Sequence, residues 1–189
     1  VLLEGPAEAG PDAPWHETCS ALRMRFRRSI RLKTFDYLGQ YRYAFTICTA
    51  GRRVVFTSLD VVEPLLSQFQ QCSEREDVGI AAYCFMPDHL HLLVVGLAPA
   101  SDVLQFVNRA KQKTGYWYAR RCGQRLWQRY SWDRILRSEE DTMTAARYIL
   151  ANPVRAGLTE RAADYLFSGS VMFSRQAVFE TFHMGPRAG

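Results

Sequence analysis

Residues 79–96 read GIAAYCFMPDHLHLLVVG. Two apolar runs flank the pair Pro87-Asp88, which predicts strand, tight turn, strand. The first run is Gly79–Met86 and the second His89–Gly96; both are rich in residues that suit a pleated, buried surface. Side chains at i and i+2 of a strand share a face. His89 and His91 therefore project side by side, while Leu90 and Leu92 point the other way. Two imidazoles on one face at the start of a strand make half of a divalent metal site. Two polar residues at the solvated mouth of a strand would give the same pattern. Position 93 is Leu, so no third alternating His follows, and a large metal-bearing barrel does not fit in 189 residues.

Working outward, Tyr41–Thr49 (YRYAFTICT) predicts an earlier strand. Gly51-Arg52-Arg53 forms a turn into VVF, Val54 to Phe56, as the second arm of a small hairpin. Ser58 can cap a helix to about Glu76, with Val61, Leu65, Leu66 and Phe69 at helical spacing. Downstream, Ser101 or Asp102 can cap a long helix to about Cys122, with Val103, Phe106, Val107 and Ala110 on one face. Trp132–Leu136 predicts a fourth strand. A final helix runs from about Glu139 to Ala151, with Pro153 as its stop. The order is that of a split βαβ unit. It predicts an α+β, ferredoxin-like core: an antiparallel sheet, helices on one face and an extra C-terminal helix. The expected organisation is a flexible leader at 1–20, one domain at 21–165 with a basic N-terminal arm, and a C-terminal extension at 166–189.

Nearly half the residues, 48%, are hydrophobic, which excludes disorder as the general state of the chain. The formal net charge is +5, and its distribution points to a polyanion. The arm LRMRFRRSIRLK, Leu22 to Lys33, holds no acid and carries Arg23, Arg25, Arg27, Arg28 and Arg31. Between Ser101 and Arg137 there are nine basic residues, opposed by Asp102 and Asp133 alone. They are Arg109, Lys111, Lys113, Arg120, Arg121, Arg125, Arg129, Arg134 and Arg137. Tyr116, Trp117, Tyr118, Trp127, Tyr130 and Trp132 are interleaved with them. Cations on phosphates and rings under bases hold single-stranded DNA; a solvated helix face with core aromatics is the competing reading. The first seven of these cations, with the arm, are the candidate DNA contacts. Five cysteines, an odd number without a CxxC pair, argue against a disulfide framework or zinc ribbon. They are expected as core residues in a reducing cytoplasm. The start of the chain lacks the features of a signal peptide, and no apolar run has the length of a membrane span.

Residues 145–158 read AARYILANPVRAGL. Tyr148 and Asn152, four apart, share a helical face if the helix persists that far. A tyrosine near a metal-bound phosphate can attack phosphorus in line. Equally, Tyr148 can be an amphipathic core residue, and Asn152 can end the helix ahead of Pro153.

Met86 to Val94, then Leu126-Trp127-Gln128, then Tyr148 to Leu158 together resemble the REP-associated tyrosine transposases of the single-tyrosine HUH superfamily. The resemblance spans Tyr41 to Leu158, and the arm from Arg23 to Lys33 also fits it. It implies a ferredoxin-like core, Mg2+ or Mn2+ as cofactor, and cleavage of single-stranded DNA beside REP-like hairpins through a 5′-phosphotyrosine. It further implies His89 and His91 as the metal-binding pair, Tyr148 as nucleophile, Asn152 as third metal ligand, a monomer, and a bacterial, nucleoid-associated location. Arg134 stands where some relatives carry His. The alternatives are a replication- or relaxase-type nickase and a catalytically idle hairpin-binding regulator.

Overall fold

A computed structural model describes residues 37–181. The leader, the arm with Arg23, Arg25, Arg27, Arg28 and Arg31, and the last residues of the extension lie outside the described residues.

Strands β1 (Arg42–Cys48), β2 (Val78–Met86), β3 (His89–Gly96) and β4 (Trp132–Leu136) match the predicted runs closely. With a short β5 (Ser168–Gly169) they form one sheet in the order β4-β1-β3-β2-β5, antiparallel throughout. Helices α1 (Leu59–Arg75) and α2 (Val103–Cys122) follow β1 and β3, α3 (Glu139–Arg155) follows β4, and a short α4 (Arg175–Thr181) closes the described chain. This is the ferredoxin-like α+β core, with a fifth strand drawn from the stretch after residue 165.

One face of the sheet is apolar. Tyr43, Phe45 and Ile47 of β1 and Leu90, Leu92 and Val94 of β3 pack with Leu65 and Phe69 of α1 and Phe106 and Val107 of α2. Burial of each large side chain contributes roughly 1.5–3 kcal/mol. Asp102, not Ser101, caps α2 by accepting from the Gln105 amide; the buried Ser101 instead donates to the Asp77 carbonyl.

The opposite face is the site face. A one-residue bulge in β2 between Ile80 and Ala82 leaves Ile80 in the core and turns Ala82, Cys84 and Met86 to the side of His89 and His91. The extra helix α3 crosses β2 and β3 there, burying Ala145, Ala146, Ile149, Leu150 and Pro153.

Three local expectations are corrected. Val54–Phe56 is not a strand: both edges of β1 are already taken by β3 and β4, so Val55 and Phe56 donate instead to the Pro87 carbonyl at 2.7 and 3.1 Å. Helix α3 does not stop before Pro153 but continues to Arg155. Pro153 has no N–H for the Ile149 carbonyl, and the Asn152 side-chain amide reaches that oxygen at 3.5 Å and the Tyr148 carbonyl at 3.0 Å. Cys122 is exposed at the last turn of α2, whereas Cys72 and Cys84 are buried as expected. No helix among the described residues is long and apolar enough to cross a membrane.

Candidate active site

The tight turn at Pro87-Asp88 delivers His89 and His91 to the site face, where α3 covers them. They are not at a solvated strand mouth: His89 is 8% and His91 5% exposed. Burying two imidazoles is costly unless their nitrogens are partnered, and all four are. The His89 Nδ1 lies 2.6 Å from Asp88 Oδ1, and the His91 Nδ1 lies 3.0 Å from Thr46 Oγ1 on the neighbouring strand. The two Nε2 atoms face each other at 3.0 Å.

This network assigns the protons. The carboxylate of Asp88 only accepts, so His89 carries its proton on Nδ1 and presents a lone pair at Nε2. His91 Nε2–H then donates to it, and Thr46 donates to His91 Nδ1. Burial, with the charges of Arg52 and Arg155 nearby, holds His91 well below the ordinary imidazole range, so its ring is neutral. The Thr46 hydroxyl can both donate and accept. It can therefore also support a His91 whose proton sits on Nδ1, the tautomer a metal at Nε2 requires.

Asp88 is itself anchored. Arg52 Nε meets its Oδ2 at 2.9 Å. Burial alone would push the Asp88 carboxyl up. The His89 hydrogen bond and the charge of Arg52 outweigh it and hold the carboxyl below its ordinary range. Arg52 reaches this position from a left-handed backbone, φ 56°, directly after Gly51 at φ 70°. That conformation costs a non-glycine residue about 1 kcal/mol or more, and the ion pair with a bond to Cys48 Sγ at 2.9 Å holds it there. The Thr49 amide, donating to the Asp88 carbonyl at 3.0 Å, pins the turn to the end of β1.

From the other side, α3 places Tyr148 with its ring edge-on to His91, centroids 6.4 Å apart at 84°. Arg155, two turns on, sets its guanidinium 4.5 Å from the Tyr148 ring centroid. Asn152 lies between them on the same face. Its amide nitrogen is engaged by the helix carbonyls, which leaves its oxygen as the atom able to meet a cation.

Two Nε2 atoms 3.0 Å apart match adjacent positions on an octahedral ion with bonds of about 2.1 Å. Both outer nitrogens are oriented by an oxygen, as metal-binding imidazoles require. Among the described residues, no group of three or more His, Cys, Asp and Glu side chains could hold a metal.

The candidate DNA contacts are spread over two layers. Lys113, Arg120 and Arg121 are exposed on α2, the layer opposite the histidines, with Arg121 stacked on Trp117 at 5.6 Å. Arg109 is half-buried in an ion pair with Glu76 at 2.8 Å, and Lys111 reaches the Arg129 carbonyl at 3.4 Å. Arg125 and Arg129 are exposed on the segment that leads into β4. Sequence reasoning did not single out Thr46, Arg52, Asp88 or Arg155. The only available signal was their adjacency to the motifs, in the case of Asp88 and Arg155.

The sequence model of the family described as Transposase IS200 like matches residues 37–148, a span that contains both histidines and ends on Tyr148. A Haemophilus influenzae protein named for the REP-associated tyrosine transposases is 28% identical over 146 residues, covering 70% of this chain and 81% of that one. A second Haemophilus influenzae protein is 25% identical over 160 residues, covering 68% of this chain and 88% of its own length. Among solved structures, that of a REP-associated tyrosine transposase bound to a REP hairpin superposes with a TM-score of 0.62 at 20% identity, covering 86% of this chain and 88% of the other. That likeness establishes a shared fold.

Proposed function

Because this chain belongs to the IS200-like transposase family, we propose that it cuts and rejoins single-stranded DNA beside hairpins, with Tyr148 as nucleophile and Mg2+ or Mn2+ held by His89, His91 and Asn152. Family membership makes it a DNA transposase; the finer reading rests on its own residues. The observation that carries it is the buried pair of Nε2 atoms 3.0 Å apart, with the Tyr148 ring packed against one member. A set of two imidazole nitrogens and one amide oxygen suits Mn2+, and Mg2+ with several waters retained. The hairpin is suggested by the REP-hairpin complex whose fold this chain shares.

When bound, the ion would neutralise charge on the oxygens of the scissile phosphate. The Tyr148 hydroxyl attacks phosphorus: the Oη–P bond forms, the P–O3′ bond breaks, the phenolic proton leaves to solvent and the 3′ oxygen takes one up. The products are a 3′-hydroxyl and a 5′-phosphotyrosine. Attack of a 3′-hydroxyl on that ester reverses the step and rejoins DNA with no other energy source. Arg155, beside the Tyr148 ring, supplies a fixed positive charge for the phenolate and the phosphate.

The test is a single strand carrying a hairpin and its flank, incubated with the protein and Mn2+ and run on a denaturing gel. A shortened strand and a slower covalent protein–DNA adduct are expected. Binding of the hairpin with neither product would make this a hairpin-binding regulator and end the enzymatic reading.

Asp88 offers a graded check. Asp88→Asn keeps the shape but removes the charge that orients His89 and pairs with Arg52. Loss of such an outer partner lowers metal affinity about 10- to 100-fold. The Mn2+ concentration for half-maximal cleavage should rise by that factor while the rate at saturating Mn2+ changes little. An unchanged Mn2+ requirement would separate Asp88 from the metal site.

A further inference from the structure

Helix α3 packs chiefly on β2 and β3 of the site face and touches β4 only lightly. Across that face the strand register forms one row: Trp132 opposite Thr46, Thr46 opposite His91, and His91 opposite Cys84. Directly opposed residues of antiparallel strands put their side chains on the same face. Trp132 therefore shares the face of His91, two strand spacings or roughly 10 Å away. Its indole is 54% exposed. The chain just before it is tied to the end of β1: Ala50 N donates to the Leu126 carbonyl at 2.7 Å and Gln128 N to the Cys48 carbonyl at 2.8 Å. Between that tie and β4 lie Arg129 and Tyr130, the guanidinium 5.5 Å from a ring that is itself exposed. Arg134, two residues past Trp132 on the same strand, returns to the same face.

The other aromatics of the basic region are placed differently. Trp127 is buried and donates to Thr114 Oγ1 at 2.8 Å, and Tyr118 is core. Tyr116 is exposed but sits on α2, in the layer across the sheet. An open ring flanked by guanidinium groups, on the face that holds the nucleophile, has the chemistry of a single-strand platform: the ring stacks under a base and the cations meet phosphates.

We propose that Trp132 is the stacking site for an unpaired base one or two nucleotides from the cleaved phosphate. The inference rests on the transposase reading above and adds a binding subsite to it.

The test is a cycle of protein and DNA changes, with binding measured in EDTA and cleavage measured in parallel with Mn2+. Trp132→Leu should weaken binding of the intact flanking strand about 5- to 100-fold, and Trp132→Phe, which keeps a ring, should retain most of it. Circular dichroism checks that the edge strand survives in both. An abasic nucleotide is moved through the two positions on either side of the mapped cut. At one position the wild-type chain should lose binding by a similar factor, and Trp132→Leu should then lose nothing more. Additive losses at every position, or an unaffected Trp132→Leu, overturn the subsite while wild-type cleavage leaves the transposase reading standing. A wild-type chain that neither binds nor cuts any such strand overturns both.

Discussion

Tyr148→Phe is expected to keep the fold and hairpin binding and to eliminate both the cut strand and the covalent adduct. The change removes one oxygen from a half-buried ring. The edge-on contact with His91 and the stack with Arg155 are ring contacts, and phenylalanine preserves them. Removal of a nucleophile that forms a covalent intermediate leaves no alternative first step, so cleavage should fall by at least about a thousandfold. Tyr116, Tyr118 and Tyr165 are poorly placed to substitute. Tyr116 and Tyr118 are on α2, in the opposite layer, and burial, with the neighbouring Cys122, pushes the Tyr118 hydroxyl up. Burial likewise pushes Tyr165 up, and its hydroxyl donates to the Phe85 carbonyl at 2.8 Å. Tyr130 is on the segment before β4, beside Arg129. Trypsin cuts after Arg147 and Arg155, so the DNA should be recovered on the peptide YILANPVR, with Tyr148 at its start. An adduct on any other tyrosine, or normal cleavage by Tyr148→Phe, overturns the assignment.

The core of the fold was legible because each element carries its own period and its own punctuation. The Pro87-Asp88 turn, the alternation in His89–Gly96 and the cap before α2 are all local signals, and the structure reproduces them within a residue or two. Reasoning from local signals failed where tertiary context decides. VVF has the composition of a strand, but no sheet edge was left for it beside β1. Pro153 carries a stop signal that the Asn152 amide and the packing of α3 on β2 override. Residues Ser168–Gly169 form a strand only because β2 offers an edge.

At the site, spacing brought out His89 with His91 and Tyr148 with Asn152 as pairs and the family resemblance implied their roles, but neither pointed to the residues that support them. Thr46 meets His91 from 45 residues away in the chain. Arg52 reaches Asp88 only because its backbone adopts a left-handed turn that composition does not announce. Cations counted together in sequence are also divided in space. Lys113, Arg120 and Arg121 are on the helix layer away from the histidines, whereas Arg155, absent from that count, stands over Tyr148.

The histidine pair should be separable from DNA binding. His89→Phe and His91→Phe are better probes than alanine, because truncating a buried side chain leaves a cavity that costs stability by itself. Phenylalanine keeps the ring volume but offers no donor atom to a cation. Either change should lower Mn2+-dependent cleavage by at least about a thousandfold. Hairpin binding in EDTA should remain within a few-fold, since cation–phosphate contacts carry most of the affinity. A second readout needs no DNA. A ligand that binds only the folded chain stabilises it by RT ln(1 + [L]/Kd), so Mn2+ in excess over Kd should raise the Tm of the wild-type chain by a few degrees. The same Mn2+ should leave the Tm of the double variant unchanged. That contrast isolates the metal site from any effect on catalysis or on DNA. Cleavage by the double variant at the wild-type rate in Mg2+, or an equal Mn2+-induced rise in Tm for both chains, would remove His89 and His91 from the role of metal ligands.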